Sequence, residues 1–278
     1  MIAQLFSASV RAILVAILVV LPSLLLTSGA QDTSPIMILI AFIAGLLVFV
    51  EYTAQSPSIL EFRFAAPYNR IKFTGIAVSV LSLSIIARGG DDPGSLAVLL
   101  GELGGAARAA LDFPYSPVRL VMMLVPVHAP PGFSDFAEMA AGLCYGVSLV
   151  MLVVFVLIVR LLGWPARHGA FNVWMNLPHF DPTGGADVVQ KLNREALVNV
   201  SLGFAMPFLL PVLVAVLAGV LESGKVLDSK MLIWIICAWA FIPAGLVMRG
   251  VAMHRVAELI AAKRRRAYAK AEDALQIV

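Results

Sequence analysis

Six stretches of this chain are long and apolar enough to cross a lipid bilayer, and no ionisable side chain lies deep inside any of them. An α-helix needs roughly 20 mostly apolar residues to cross the hydrocarbon core. The runs are continuously apolar, whereas transmembrane β-strands alternate polar and apolar residues. The sequence therefore predicts an all-α fold, a polytopic transmembrane helix bundle. The six predicted spans are 12–27, 35–50, 73–87, 136–159, 197–221 and 231–248.

The composition agrees with a membrane protein. Hydrophobic residues make up 60% of the chain and charged residues only 13%, whereas soluble domains average about 25% charged residues. A water-soluble fold of this size would have too little polar surface to cover itself, so lipid must cover the remainder. Cys144 and Cys237 lie in apolar runs, which predicts buried thiols, no disulfide framework and no metal spacing.

The distribution of Lys and Arg predicts the orientation of the bundle. If both termini are cytoplasmic, the segments on that side contain 15 of the 20 basic residues, as the positive-inside rule requires. The Ala-, Val-, Leu- and Arg-rich composition is typical of a GC-rich bacterium, so we expect a multi-pass protein of the bacterial inner membrane. Arg11 and the following 12–30 stretch are also compatible with a cleaved signal peptide, but we expect this stretch to be retained as the first span.

Residues 1–250 are predicted to form the six-helix transmembrane domain. Its outer loop, 88–135, is long for a connection and predicts an extramembrane cap with a helix over 95–111. A second apolar piece, 118–127, is too short to span the bilayer. We expect it to belong to the cap, and a re-entrant, pore-lining element is the alternative.

The cytoplasmic loop 160–196 is expected to be structured but irregular as far as Gly185, because prolines and paired glycines interrupt it. A helix is predicted to begin at Ala186 and continue into the fifth span. The segment 183–187 favours a helix cap over an anion site, because Asp187 would repel an anion.

Two cytoplasmic loops contain the candidate partner-docking residues. The loop after the second span alternates aromatic and charged residues between prolines, a pattern typical of an interfacial turn or of a docking stretch. The loop before the fifth span combines aromatic, proline and turn residues. His168, His179 and Asp181 match no standard metal-ligand spacing, so no metal site is predicted. The residues predicted to dock a partner are Phe62, Phe64, Trp174, Asn176, His179 and Asp181.

Residues 251–278 are predicted to form a basic cytoplasmic helix that continues the last span. Its cluster of Lys263, Arg264, Arg265 and Arg266 is predicted to contact anionic lipid headgroups, worth about 1 kcal/mol per charge. Binding of an acidic protein is the alternative. No nucleic-acid-binding motif is present, so no nucleic acid partner is predicted.

Within the spans, few residues indicate chemistry. Glu51, Glu138 and Arg160 lie at span ends, which favours interfacial anchoring over ion transport. The spans contain no histidine and no hydrolase motif, so no catalytic residue, metal ligand or cofactor is predicted. Proline residues are predicted to kink the last two spans, at Pro207, Pro211 and Pro243.

Small residues predict where spans two and four are closely packed. Gly142 and Gly146 form a Gly-x-x-x-Gly pair that would let another helix approach span four. Ala41 and Gly45 offer the same spacing on span two.

These features favour a non-catalytic role, as a scaffold, accessory or assembly component of an inner-membrane complex whose partners are lipids and other membrane proteins. The main alternative is a small-solute or ion transporter or channel that uses the proline-kinked spans five and six. A third option is a membrane enzyme using His168, His179 or Asp181 at the inner surface.

Overall fold

The computed structural model describes residues 2–26, 35–89, 94–125, 129, 131–165, 171–181, 187–220 and 229–276. Within these ranges every regular element is a helix. A 3-10 turn, Met122–Leu124, follows the fifth α-helix. The α-helices are α1 (Ile2–Leu26), α2 (Pro35–Thr53), α3 (Tyr68–Gly89), α4 (Ser95–Ala110), α5 (Pro117–Val121), α6 (Phe133–Leu161), α7 (Val173–Asn176), α8 (Val188–Val220) and α9 (Ser229–Gln276).

The predicted six-span architecture is confirmed at the level of the helices. Among the described residues, α1, α2, α3, α6, α8 and α9 are long and apolar enough to cross a membrane. Each contains the corresponding predicted span, except that Thr27 and Leu221 lie outside the described residues. Most of these helices extend beyond the apolar run, because a helix continues until a breaker or cap ends it rather than where hydropathy falls.

Helix α9 is the centre of the bundle, since it packs against α8, α6 and α3, while α1 packs against α2 and α3. Glycines let α8 and α9 approach closely. A Cβ atom on Gly203 would lie 2.6 Å from the carbonyl oxygen of Pro243, and one on Gly250 would lie 2.6 Å from Val200 Cγ2. Any side chain at either position would push the two helices apart.

The predicted close approaches on the second and fourth spans are confirmed. A Cβ on Gly45 would lie 3.1 Å from the carbonyl oxygen of Ala12 in α1, and one on Gly142 would lie 2.6 Å from the backbone nitrogen of Arg108. The helix that approaches α6 is therefore α4, from the long 88–135 loop, rather than another span.

The 88–135 loop contains a helix, α4 (Ser95–Ala110), where one was predicted over 95–111. Helix α4 packs on α6 and α3, and α5 packs on α8 and α6. The Ser116 hydroxyl caps α5 by accepting the Arg119 N–H at 3.2 Å. Arg108 forms a 2.6 Å ion pair with Glu138, so Glu138 ties α4 to α6 as well as lying near a span end. Residues 126 and 127 of the predicted 118–127 piece lie outside the described residues.

The three predicted kink prolines lie inside α8 and α9, both of which remain continuous through them. Pro211 has no N–H, so the carbonyl of Pro207 loses its intrahelical donor. The indole N–H of Trp239 in α9 donates to that carbonyl at 3.1 Å. A side chain of the neighbouring helix therefore satisfies the carbonyl left without a donor by Pro211.

The loop before α8 differs from the sequence prediction in one respect. A single helical turn, α7, forms where no regular element was expected before Gly185. The side chain of Asn172 accepts the N–H of Met175 and caps this turn, which outweighs the nearby prolines because they lie outside it. Asp187 caps α8 as predicted, with its carboxylate accepting the N–H groups of Val189 and Gln190. Residues 182–186 lie outside the described residues.

Candidate interaction site at the loop end of the bundle

Segments 54–67 and 171–181 meet at one end of the bundle, which we call the loop end. Asn176 joins them. Its carbonyl oxygen accepts the N–H of Phe62 at 2.7 Å, and its side-chain oxygen accepts the N–H of Phe64 at 3.1 Å. Its amide donates to the carbonyl of Asn172 at 3.0 Å. Asn176 is 4% exposed, so these bonds form in a largely dry environment and fix the two loops together.

An aromatic cluster fixes the same loops to the spans. Phe62 lies 4.5 Å from Tyr68 and 5.6 Å from Trp164 between ring centroids. Phe155 of α6 lies 5.2 Å from Trp164. The indole N–H of Trp164 donates to the carbonyl of Ala65 at 3.2 Å. Such pairs contribute about 0.5–1.5 kcal/mol each beyond their buried area, and here they hold Phe62 in a left-handed conformation with φ of 53°.

Glu51 organises the turn that leaves α2. Its carboxylate accepts the N–H groups of Ser58, Ile59 and Leu60 at 2.9–3.2 Å. The guanidinium of Arg63 donates to the carbonyl oxygen of Glu51, and burial lowers the pKa of Arg63. Glu51 is therefore more than the interfacial anchor predicted from its position, because it is 7% exposed and pairs the backbone donors of the loop.

A two-pronged ion pair connects the 54–67 loop to α9. Arg249 donates to both carboxylate oxygens of Glu61, at 2.7 and 2.9 Å. His179 Nδ1 lies 3.7 Å from Glu61, and Glu195 of α8 lies 3.7 Å from Arg249. The Glu61 and Arg249 side chains are 13% and 20% exposed, so water screens the pair only partly.

Helix α9 continues beyond the loop end. Ala257 is its last fully buried residue, and the helix continues to Gln276, which is roughly 28 Å further at 1.5 Å per residue. Arg264 pairs with Asp187 at the start of α8, and this hydrogen bond is the main cause of the lowered pKa of Asp187. Residues 263–273 are exposed.

The structure separates the predicted docking residues into two groups. Phe62 and Asn176 are buried, so their contacts are internal, and they support the surface rather than forming it. Phe64 is 57% exposed, with the Arg63 guanidinium 4.4 Å above its ring. His179 and Asp181 are also exposed. The side chain of Trp174 lies outside the described residues.

A cavity of about 740 Å³ opens beside the ion pair. Sequence reasoning missed it, together with the roles of Glu61, Lys72 and Arg249. The only sequence signal was that Lys72 and Arg249 adjoin span ends. The lining residues are Ile59, Leu60, Glu61, Tyr68, Asn69, Lys72, Ile76, His179, Asn199, Trp234, Cys237, Ala238, Phe241, Ile242, Gly245, Leu246 and Arg249.

Residues with catalytic or metal-binding potential are dispersed. Across the described ranges, no three His, Cys, Asp or Glu side chains are grouped as metal ligands. His168 lies outside those ranges. Cys144 and Cys237 are free and buried, as predicted, with their sulfur atoms 3.7 Å apart.

A scan against protein-family models and searches of curated proteins and of solved structures found no match to this chain. Functional inference therefore depends on the geometry of the loop end and of the cavity.

Proposed function

We propose that this protein is a non-catalytic accessory, scaffold or assembly component of a bacterial inner-membrane complex, and that it docks its partner at the loop end. The observation that carries the proposal is a preorganised surface: Asn176, Glu51 and the Glu61–Arg249 pair fix the loops from inside, while Phe64 and His179 remain exposed. A surface fixed before binding loses little conformational entropy when a partner docks.

Phe64 is the strongest anchor candidate on this surface. An exposed aromatic ring with a cation above it offers a partner both apolar area and charge, and such residues dominate the binding energy of interfaces. The Arg63 guanidinium already donates to the backbone carbonyls of Glu51 and, at 3.0 Å, of Ala54, so it is positioned without a partner. His179, beside Glu61, adds a polar group at the edge.

The exposed end of α9 supplies a second contact surface. Each of residues 263–273 is exposed, and isolated helices of this length are marginal in water. A partner protein with an acidic groove, or an anionic lipid surface, would stabilise this extension through Lys263, Arg265 and Arg266. Arg264 is already paired with Asp187 and would position the helix.

The distribution of basic residues supports a cytoplasmic location for this surface under the positive-inside rule. Arg63, Arg249, Arg255 and the 263–266 cluster all belong to the loop end, whereas Arg108 and Arg119 belong to the opposite end, where α4 and α5 form the proposed outer cap.

The test is purification from the native membrane in mild detergent, followed by native mass spectrometry. The wild type and Phe42→Ala, a control at an equally exposed phenylalanine of α2 that is 65% exposed, should retain a stoichiometric membrane partner. Phe64→Ala and Arg265→Glu/Arg266→Glu should lose it. A wild-type protein that runs alone, or equal retention in all variants, would contradict the proposal.

A second candidate is small-solute or ion transport along the kinked helices, and the cavity with its charged mouth favours it. The Trp239–Pro207 hydrogen bond counts against it, because the freed carbonyl is already occupied. Flux into proteoliposomes containing the pure protein would favour transport, particularly if Pro211→Ala reduced the flux without changing the thermal midpoint.

A further inference from the structure

We propose that the cavity is a binding site for one anionic phospholipid from the surrounding bilayer, with its phosphate at Lys72 and an acyl chain extending along α3 and α9. The cavity shares Glu61, His179 and Arg249 with the loop end, but its ligand is a lipid from the bilayer rather than a protein docked at the end of the bundle.

The volume and length of the cavity are sufficient for an acyl chain. Its volume of about 740 Å³ lies within the range of about 300–1,000 Å³ typical of small-molecule sites. Trp234 and Arg249 both line it and are separated by about 22 Å along α9 at 1.5 Å per residue. One leaflet of the hydrocarbon core is about 15 Å thick, so the lining extends along α9 for at least the length of an acyl chain in one leaflet.

Polarity changes along that length as it does along a lipid. Toward the loop end the lining contains Glu61, Asn69, Lys72 and Arg249, and toward the other end it consists of apolar and aromatic side chains. The apolar members of that deeper part are Ile76, Trp234, Ala238 and Phe241, joined by Cys237. A free phosphate would bind only at the polar part of the cavity near the loop end and would leave the deeper apolar part unfilled.

Lys72 is the group that selects an anion. Arg249 is occupied by the carboxylates of Glu61 and Glu195, whereas among the described residues no carboxylate lies within the 4.0 Å of an ion pair with Lys72, on which Glu61 acts only from a greater distance. The Lys72 ammonium lies 5.5 Å from the ring centroid of Tyr68. Glu61 and Glu195 both pair with Arg249, so Lys72 is the lining cation without a direct ionic partner among the described residues.

Gly245 of α9 leaves room for the Lys72 side chain. A Cβ on Gly245 of α9 would lie 3.5 Å from both Cε and Nζ of Lys72, so the lysine side chain crosses from α3 to the surface of α9. The ammonium is therefore held within the cavity rather than extended into water, and an unpaired cation there is costly until an anion joins it.

The test uses the pure protein in a non-ionic detergent after delipidation, with phosphatidylglycerol, phosphatidylcholine and inorganic phosphate as separate probes. Thermal midpoints and native mass spectra are recorded for the wild type, Lys72→Met and Arg70→Met. Arg70 is a matched control, because it is exposed on the same turn of α3 and does not line the cavity.

Phosphatidylglycerol should raise the thermal midpoint of the wild type and of Arg70→Met in a concentration-dependent manner, with one lipid retained in the mass spectrum. Lys72→Met should bind at least tenfold more weakly, although its midpoint without lipid should be unchanged or higher, because an unpaired charge has been removed. Equal stabilisation by phosphatidylcholine, an equal effect of inorganic phosphate, or unchanged binding in Lys72→Met would each overturn the proposal.

Discussion

At the scale of single residues, the loop end is held together by polar side chains that complete otherwise unpaired groups. Glu51 accepts backbone donors of the turn after α2, and Asn176 accepts those of Phe62 and Phe64. A buried donor left unpaired costs about 1–3 kcal/mol. Each of these residues therefore contributes more to the stability of the loops than its own buried area indicates. The Glu61–Arg249 pair completes the arrangement by fixing the loop to α9.

A double-mutant cycle of Glu61→Gln and Arg249→Gln should give a coupling energy of about 1–2 kcal/mol, since the pair is two-pronged and partly buried. The free energy of unfolding is measured by denaturant titration in mixed micelles. Arg255 and Glu258, one turn apart on α9 and more exposed, form the control pair and should couple by at most about 0.5 kcal/mol. Equal coupling energies for the two pairs would show that Glu61–Arg249 is an ordinary surface ion pair.

The Asp187–Arg264 pair should respond to acid in a defined direction. Since the pKa of folded Asp187 is lowered, the pair contributes stability above the ordinary aspartate pKa and loses it as the pH falls through the lowered value. In NMR titration of labelled aspartate carboxyls, Asp187 should titrate below an unperturbed aspartate. Arg264→Gln should raise its midpoint, and an unchanged midpoint in that variant would exclude the pair.

At the scale of helices, small residues decide which elements are closely packed. Gly203 and Gly250 join α8 to α9, Gly45 joins α2 to α1, and Gly142 joins α6 to α4. Lipid gives no hydrophobic drive for helices to associate, so close backbone approach supplies much of the stabilisation through packing.

Gly142→Ala should therefore destabilise the protein by about 1–3 kcal/mol, because the added methyl group would overlap backbone atoms of Arg108 that cannot rotate away. Gly105→Ala on α4 is the control, since a Cβ there meets nothing within 4 Å. It should be neutral or stabilising by up to about 1 kcal/mol through helix propensity. Similar thermal midpoints for both variants would mean that α4 does not pack on Gly142.

Helices were predictable from the sequence and their tertiary pairing mostly was not. Continuous apolar runs reveal spans, and the Gly142–Gly146 spacing revealed a contact surface, although it did not identify α4 as the helix that packs there. Glu61 and Arg249 are 188 residues apart in the chain, and neither residue lies in a motif that indicates its partner. The cavity could not be predicted from the sequence either, because Lys72 of α3 and the residues of α9 that line it come together only after the two helices pack.

At the scale of the whole molecule, the two ends of the bundle differ in construction and in charge. The loop end has fixed loops, an exposed helical extension and most of the basic residues, and the other end has α4 and α5. We therefore expect the contacts with a partner to be concentrated at the loop end, on one side of the membrane.

Single cysteines should show this sidedness after Cys144 and Cys237 are replaced by alanine. A cysteine at Ser95, exposed at the start of α4, should react with a membrane-impermeant maleimide in intact cells. A cysteine at Ala267 should react only after the membrane is permeabilised. Labelling in the reverse order would place the loop end outside the cell and remove its proposed cytoplasmic role.

Site-specific photo-crosslinking in living cells tests docking at the loop end most directly. A photoreactive phenylalanine analogue replaces Phe64, Tyr268 or, as the control, Phe42, all of which are more than half exposed. We predict one shared protein adduct from Phe64 and Tyr268 that is absent from Phe42. Adducts at Phe42 alone, or the absence of any protein adduct at Phe64 and Tyr268, would contradict a partner-docking role for this end of the molecule.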